Sequence, residues 1–305
     1  MPRTAFLFPG QGAQFVGMGR ELIAERPAAR ALFDRASEIL GYDLAAVCRE
    51  GPAERLEATD VSQPAIYVAS LAALEDLKAT EPDVVASCAG TAGLSLGEYT
   101  ALTFAGAIDF ESGVRIVQLR GQAMQAAAEA TPSGMATVLG LDDGALDTLC
   151  QRIHDQGGQI WKANLLGPGT VALSGDHTAL ALVEPIATEL GAMKVVRLAV
   201  AGAFHTPLMK PADARLATAL ADIPIHPPRV PVYSNVTAAP HPSDPAAIGQ
   251  LLAEQVTRPV LWEATIRQMI ADGFDSFYEI GPGRVLAGLL KRIDRKRPCT
   301  NIPAR

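Results

Sequence analysis

The sequence has 305 residues and a mass of 32.0 kDa, which at about 150 residues per domain predicts two domains. Apolar residues make up 49% of the chain and charged residues 19%, a composition that excludes an intrinsically disordered protein. The formal net charge of −7 argues against a broad phosphate-binding surface. We therefore expect no nucleic acid among the partners.

The cysteines and the apolar segments indicate the compartment. The four cysteines lie far apart and form no CxxC pair: Cys48, Cys88, Cys150 and Cys299. This spacing predicts neither a zinc site nor a disulfide framework, and it is typical of a reducing compartment. The apolar start of the chain is too short for a signal peptide, and no segment approaches the roughly 20 apolar residues of a membrane-spanning helix. We expect a soluble, cytoplasmic protein that does not bind membranes.

The first part of the chain alternates short apolar runs with longer stretches of helical periodicity. Strands are expected at residues 4–8 and 84–89, and helices at residues 17–40, 62–78, 96–105 and 111–130. This alternation predicts a parallel sheet that is covered by helices on both faces.

The segment from about residue 132 to residue 199 has a different pattern. Its expected order is strand 135–139, helix 143–154, strands 159–164 and 171–174, helix 177–190 and strand 193–198. The order β-α-β-β-α-β is that of the split βαβ, or ferredoxin-like, unit. We expect residues 132–199 to form a small subdomain inserted into a large domain of residues 1–131 and 200–305.

Strand–helix alternation resumes after this insertion. Late strands are expected at residues 229–234 and 276–280, and the Gly281-Pro282-Gly283 turn separates the second of them from a helix at residues 284–293. The fold class is therefore α/β, with a parallel sheet in the large domain.

Residues 93–97 (GLSLG) carry the first candidate nucleophile. They match G-x-S-x-G, a sharp strand-to-helix turn that exposes a serine hydroxyl, here that of Ser95. A helix that begins at this turn would direct backbone N–H groups towards an oxyanion. Continued to Glu98, the same residues also fit the S-x-x-E capping box, in which Ser95 would only cap the helix. The motif alone leaves both interpretations open.

Three motifs together carry a family resemblance: residues 8–14 (FPGQGAQ), 93–99 (GLSLGEY) and 202–207 (GAFHTP). In this order the chain resembles the malonyl-CoA:acyl-carrier-protein transacylases, which are related to the acyltransferase domains of polyketide synthases. The likeness continues through residues 255–260 and 279–283. It implies an α/β-hydrolase-like large domain with an inserted ferredoxin-like subdomain, and an active site in the cleft between them.

The resemblance implies a Ser–His dyad, with Ser95 as nucleophile and His205 as general base. A serine hydroxyl is a weak nucleophile until an imidazole accepts its proton, and histidine can do so near neutral pH. No acidic residue follows His205 as in a Ser-His-Asp triad. The matching position implies that the main-chain carbonyl of Gln255 orients the imidazole. The implied oxyanion hole consists of the backbone N–H groups of Gln11 and Leu96.

The resemblance also implies a selectivity for malonyl groups. Arg120 matches the arginine that pairs with the free malonyl carboxylate, and a guanidinium is suited to this because its planar fork binds a carboxylate bidentately. The alternative is an arginine on a solvated helix face. Phe204, directly before the histidine, matches an aromatic residue that accompanies malonyl selection in the related polyketide acyltransferases.

Two asparagines match further polar positions, and one position departs from the family pattern. Asn235 matches a residue near the histidine, or else it only ends a strand at a turn. Asn164 matches a pocket asparagine, but the residues that follow it depart from the usual smaller polar run. Leu94 stands where the family usually has a histidine.

The implied reaction moves a malonyl group from malonyl-CoA to the phosphopantetheine thiol of acyl carrier protein through a malonyl-serine intermediate, as in fatty acid or polyketide synthesis. Neither a metal nor another cofactor is expected, and the enzyme is expected to be a monomer. A basic cluster near the C-terminus would dock the acidic carrier protein or form a solvated tail: Lys291, Arg292, Arg295, Lys296 and Arg297. A serine esterase or thioesterase of the same fold and a non-catalytic carrier-binding relative are the alternatives.

Overall fold

The computed structural model describes residues 3–305, in which two β-sheets are surrounded by helices. The strands are β1 Thr4–Phe8, β2 Cys88–Gly93, β3 Ser133–Leu139, β4 Ile160–Gly167, β5 Thr170–Asp176, β6 Lys194–Arg197, β7 Val232–Tyr233, β8 Ser276–Gly281 and β9 Cys299–Pro303. The first sheet has the order β7-β2-β1-β8-β9, and every neighbouring pair in it is parallel.

The described residues also form fourteen α-helices. They are α1 Arg20–Glu25, α2 Pro27–Leu40, α3 Leu44–Glu50, α4 Ala53–Glu57, α5 Thr59–Thr80, α6 Pro82–Ala86, α7 Gly97–Phe104, α8 Phe110–Ala130, α9 Asp143–His154, α10 His177–Glu189, α11 Lys210–Ala221, α12 Pro245–Gln255, α13 Trp262–Ala271 and α14 Val285–Ile293. A short 3₁₀ helix, Pro207–Met209, precedes α11.

The central position of β1 follows from its sequence. All five residues of this strand are buried, because the strand lies in a parallel sheet that is covered on both faces. Helix α5 is buried along most of its length and packs against α8, so the core of the large domain extends well beyond the sheet. This core holds β1 and β2 in register, and the residues that follow both strands form the candidate site described below.

The second sheet has the antiparallel order β4-β5-β3-β6. Helices α9 and α10 pack with this sheet in a separate apolar cluster, so the second sheet has a small core distinct from that of the first. The predicted β-α-β-β-α-β order is confirmed, and all four strands lie within the predicted segment 132–199. We propose that this segment is the inserted subdomain and that residues 1–131 and 200–305 form the large domain.

The predicted bounds are wrong for residues 17–40 and for residues 84–89. Residues 17–40 form two helices rather than one, because Pro27 has no N–H to donate and Arg26 before it is extended. Residues 84–89 are not a strand: α6 occupies their first part, and β2 begins only at Cys88. Pro82 at the first helical position explains that short helix.

The four cysteines are unpaired. Among residues 3–305, no helix combines the length and the apolar character needed to cross a bilayer.

Candidate active site

The G-x-S-x-G motif forms a tight turn between β2 and α7. Strand β2 ends at Gly93 and α7 begins at Gly97, and Ser95 between them has a left-handed backbone with φ +52°. A Cβ atom on Gly93 would overlap the backbone of Gly97, and a Cβ on Gly97 would overlap the carbonyl group of Phe8. Glycine is therefore required on both sides of the serine.

The loop after β1 packs directly against this turn. The Leu94 N–H donates to the Phe8 carbonyl at 3.0 Å, and a Cβ on Gly10 would overlap the Leu94 carbonyl. This packing places Gly10, the neighbour of Gln11, against the turn that carries Leu96. Within residues 3–305, neither the Gln11 N–H nor the Leu96 N–H donates to a backbone carbonyl outside the regular elements. Both N–H groups suit an oxyanion hole.

Ser95 and His205 meet although they are far apart in the chain. Ser95 Oγ lies 2.8 Å from His205 Nε2, and His205 Nδ1 lies 2.8 Å from the main-chain oxygen of Gln255. Because a carbonyl oxygen only accepts, the Nδ1 proton is held there and Nε2 is left to accept from the serine hydroxyl. His205 also has a left-handed backbone, with φ +63°. These contacts agree with the predicted dyad.

Burial and a neighbouring cation set the protonation state of the imidazole. His205 is 3% exposed, and burial together with the charge of Arg120 lowers its pKa to about 4. Both causes disfavour the charged form. The imidazole is therefore neutral at neutral pH and can accept a proton.

Arg120 lies beside the dyad, not on a solvated face. The residue is 1% exposed, and it donates to Ser95 Oγ and to the side-chain oxygen of Gln255, both at 2.9 Å. It also donates to Gln63 Oε1 at 2.7 Å and lies over the Tyr99 ring. The solvated-face alternative is wrong.

The charge of Arg120 has no direct counter-ion among residues 3–305. Burial lowers the pKa of Arg120, while Tyr99 and Glu98 act in the opposite direction, and its Nε has no hydrogen-bond partner. No carboxylate of the described chain forms a salt bridge with it. A buried cation with free donors next to a nucleophile fits a substrate that carries an anionic group. Residues 3–305 contain no cluster of His, Cys, Asp and Glu side chains fit to hold a metal ion.

Asn235 supports the turn rather than the imidazole. Its Oδ1 accepts from the Ser95 N–H at 2.6 Å, and its Nδ2 donates to the Gly93 carbonyl at 2.7 Å. These two bonds span the turn on both sides of the serine. They explain why an asparagine, and not only any turn residue, stands after β7.

The capping-box interpretation of Ser95 is wrong. Its hydroxyl contacts His205 and Arg120, and no side chain caps α7. In a capping box, the Glu98 carboxylate would accept from the backbone N–H of Ser95. It instead accepts from the backbone N–H of Asn235, the side-chain amide of Gln255 and the ring of His241.

Phe204 and Asn164 lie at the second sheet, and Leu94 lies in the turn before Ser95. Phe204 is buried, and its carbonyl accepts from Ser174 Oγ of β5 at 2.8 Å. Asn164 pairs with Val260 in an isolated bridge, and its side-chain Oδ1 is buried without a partner. Leu94 packs partly buried against an apolar cluster and brings no polar group to the dyad.

Sequence reasoning missed Gln63 and His241 and assigned Glu98 only to the capping box. All three are buried and hydrogen-bonded around the dyad. The one available signal was position: Gln63 is a polar residue within an apolar helical stretch, and a buried amide requires partners.

Comparisons with known proteins identify the family of this chain. Residues 5–302 match the family model of the acyl transferase domain. The chain is 43% identical to the malonyl CoA-acyl carrier protein transacylase of Bacillus subtilis, over 97% of this chain and 92% of that one.

Solved structures give the same result. The malonyl CoA-acyl carrier protein transacylase of Coxiella burnetii superposes with a TM-score of 0.93 at 38% identity, over 99% of this chain and 94% of that one. A malonyl-transacylase in complex with a type II PKS acyl-carrier protein superposes with a TM-score of 0.92 at 36% identity, over 99% and 95% of the two chains.

Proposed function

This chain belongs to the acyl transferase family, and we propose that it transfers the malonyl group of malonyl-CoA to the phosphopantetheine thiol of an acyl carrier protein. The single observation that carries the proposal is the buried guanidinium of Arg120 within hydrogen-bond distance of Ser95 Oγ. This arrangement combines a nucleophile with a fixed cation that matches the malonyl carboxylate.

In the first half-reaction, Ser95 Oγ attacks the thioester carbonyl carbon while its proton moves to His205 Nε2. The carbonyl oxygen becomes an oxyanion, which the N–H groups of Gln11 and Leu96 stabilise. The C–S bond then breaks, and His205 returns the proton to the departing coenzyme A sulfur. The Gln255 carbonyl holds the Nδ1 proton throughout, although a neutral carbonyl stabilises the imidazolium less than a carboxylate would.

In the second half-reaction, the phosphopantetheine thiol of the carrier protein takes the place of coenzyme A. His205 accepts the thiol proton, and the sulfur attacks the carbonyl of the malonyl-serine ester. When the ester bond breaks, the proton returns to Ser95 Oγ, and the enzyme is restored. Both half-reactions therefore use the same base and the same oxyanion hole.

Arg120 supplies the selectivity in this mechanism. A malonyl carboxylate can accept from the free donors of the guanidinium, whereas an acetyl group would leave the buried cation without an anion. Phe204 next to His205 adds bulk that disfavours a methyl branch on the acyl group.

The proposal extends to cofactors, compartment and assembly. Side chains and backbone groups of one chain supply every group that the two half-reactions need, which supports a monomer that requires no cofactor besides its substrates. The unpaired cysteines support a reducing compartment, and we propose the cytoplasm.

Intact mass spectrometry tests this function. We expect wild-type protein mixed with malonyl-CoA to gain one malonyl group, and Ser95→Ala to gain none. Arg120→Ala should keep the nucleophile and lose the preference for malonyl-CoA over acetyl-CoA. The absence of a wild-type adduct would leave a non-catalytic relative, and release of free malonate instead of malonyl-carrier would indicate an esterase or thioesterase.

A further inference from the structure

A second pair of titratable side chains lies beneath the dyad, and the acyl transfer described above uses neither of them. Glu98 Oε1 and His241 Nε2 are 2.6 Å apart, and both side chains are fully buried. Glu98 lies in the first turn of α7, two residues after Leu96, and His241 lies in the segment after β7. A carboxylate buried at this depth requires strong hydrogen bonds.

The side-chain amide of Gln255 connects this carboxylate to Arg120. Gln255 Nε2 donates to Glu98 Oε2 at 2.6 Å and to the Ser95 carbonyl at 2.9 Å. Gln255 Oε1 accepts from Arg120 at 2.9 Å. One amide group thus lies between a buried anion and a buried cation.

The two charges fix the orientation of that amide. If it were rotated by 180°, its oxygen would face the Glu98 carboxylate and the Ser95 carbonyl, and its NH₂ would face the guanidinium. All three contacts would become repulsive. Because the backbone carbonyl of Gln255 also holds His205, the side-chain anchor restrains the residue that orients the catalytic base.

We propose that Glu98, held by His241, is a positioning residue that acts through the Gln255 amide and serves as the indirect counter-ion of Arg120. This inference rests on the proposed function. The separation by one amide balances the buried charge while it leaves guanidinium donors free for a substrate carboxylate. A carboxylate in direct contact with Arg120 would occupy those donors.

The first test measures binding in the Ser95→Ala background, where no acyl transfer interferes. Removing the negative charge with Glu98→Gln removes a repulsion on the incoming malonyl carboxylate. We expect the Kd of malonyl-CoA to fall roughly tenfold, measured by isothermal titration calorimetry, and the Kd of acetyl-CoA to stay within about twofold. With Ser95 present, Glu98→Gln should lower kcat because the Gln255 amide is no longer held by a charge.

Glu279→Gln is the matched control. Glu279 is also fully buried, but its carboxylate accepts from the backbone N–H groups of Leu286 and Ala287 at the start of α14 and does not touch the dyad. We expect this variant to lose stability and to keep the ratio of the two Kd values. A merely structural role for Glu98 predicts the same behaviour in both variants.

Moving the negative charge from residue 98 to residue 255 should change the Kd of malonyl-CoA in the opposite direction. In the double variant Glu98→Gln, Gln255→Glu, the charge of the site is unchanged, but the carboxylate now contacts Arg120 directly. We expect malonyl-CoA to bind more weakly than to the Ser95→Ala parent. If Glu98→Gln does not fold, His241→Leu provides the second route: it leaves the negative charge of Glu98 in place but removes a donor that shields it, so the Kd ratio should shift in the opposite direction by a smaller factor.

An unchanged ratio of the two Kd values in Glu98→Gln, or in His241→Leu, would overturn the inference. The proposed function fails separately, when wild-type protein forms no malonyl-serine. Wild-type acylation with an unaltered Kd ratio in the variants therefore rejects only the role of Glu98.

Discussion

Ser95 and His205 both have a left-handed backbone conformation that residues other than glycine rarely adopt. Their φ values are +52° and +63°, and each such residue costs of order 1 kcal/mol or more. The strain is offset locally: the Ser95 N–H donates to Asn235, and the His205 N–H donates to the Val256 carbonyl at 3.1 Å. The two reacting side chains are therefore fixed by their backbone before any substrate binds.

The first prediction concerns the pH dependence of acylation. The pKa of His205 is lowered to about 4 by burial and by Arg120, so the neutral, reactive form persists well below the ordinary pKa of about 6.5. With acetyl-CoA as substrate, we expect the acylation rate to stay level from pH 7 to about pH 5 and to fall towards pH 4. A cation disfavours protonation, so Arg120→Gln should raise the pKa of His205 and move the acid limb to higher pH.

Rapid-quench measurements of acylation at a series of pH values check this prediction. Acetyl-CoA is used for both proteins because it does not need Arg120 for binding. A midpoint near pH 6.5 in wild type, or the same midpoint in both proteins, would contradict it.

Sequence motifs identified the residues of the proposed dyad and its cation but not the residues that hold them. The motif matches supplied Ser95, His205, Arg120 and the backbone carbonyl of Gln255, and the structure brings all four together. The side-chain role of Gln255 was not predictable. It depends on Glu98 and His241, whose contacts arise only when α7, α12 and the segment after β7 pack together.

At the scale of elements, the tight junctions between strands and helices position the site. The turn from β2 to α7 and the loop after β1 pack backbone against backbone, with no side chain between them. Such contacts leave no room for adjustment, because no flexible side chain can move aside. The glycines of the turn are therefore a stability feature as well as a catalytic one.

The second prediction compares two glycine substitutions. Gly93→Ala places a Cβ into the backbone of Gly97, so we expect a loss of about 1–3 kcal/mol in the free energy of unfolding and loss of acylation. Gly249→Ala is the control: it lies within α12, and its Cβ would make only ordinary contacts with Ile225 and Leu220. It should stabilise the protein by about 0.5–1 kcal/mol.

Urea denaturation and the malonyl-serine assay measure both effects. Equal stability of the two variants would show that the turn tolerates a side chain at Gly93.

Periodicity predicted long helices and regular strands but not their interruptions. The bounds predicted for α9 are confirmed, because its apolar spacing is regular and Asp142 caps its first turn. Helices α11, α12 and α13 were not predicted, and the predicted strand at residues 229–234 shrinks to β7, Val232–Tyr233. A two-residue strand has too little pattern to locate, since it is defined by the pairing of Val232 and Tyr233 with Thr91 and Ala92.

At the scale of the whole molecule, the second sheet is hydrogen-bonded to the segment of the chain that follows Gln255. The Val260 N–H donates to the Ala163 carbonyl at 2.8 Å, and the Leu165 N–H donates to the Val260 carbonyl at 2.9 Å. Strand β4 is thus bonded to the segment that follows Gln255. The order of elements predicted the insertion, but these contacts join residues about 100 positions apart, beyond the reach of any local pattern.

Helix α14 contacts both sheets. Near its start, a Cβ on Gly283 would lie 3.4 Å from the Ala13 carbonyl, in the loop after β1 that carries Gln11. Near its end, Arg292 donates to Thr170 Oγ1 of the second sheet at 3.3 Å. The helix therefore lies between the first sheet and β4 of the second sheet. Its last turn contains Lys291 and Arg292, the first two residues of the basic cluster.

The third prediction is that this cluster docks the carrier protein. The family resemblance implies an acidic carrier protein, and Lys291 and Arg292 are exposed at the end of α14 despite the overall charge of −7. Reversing both charges, Lys291→Glu and Arg292→Glu, should raise the KM for the carrier about tenfold, because rim charges steer association. Acylation of Ser95 by malonyl-CoA should be retained.

The control reverses two exposed charges elsewhere, with Lys78→Glu and Arg115→Glu on α5 and α8, so that both variants change the net charge equally. We expect the carrier KM of this control to stay within about twofold of wild type, and the difference between the two variants to shrink as salt screens the surface. If both double variants raise the KM equally, the carrier responds to the total charge of the enzyme, and the cluster is only a solvated helix end. If only the variant with Lys291→Glu and Arg292→Glu raises the KM for the carrier, docking is assigned to the exposed end of α14.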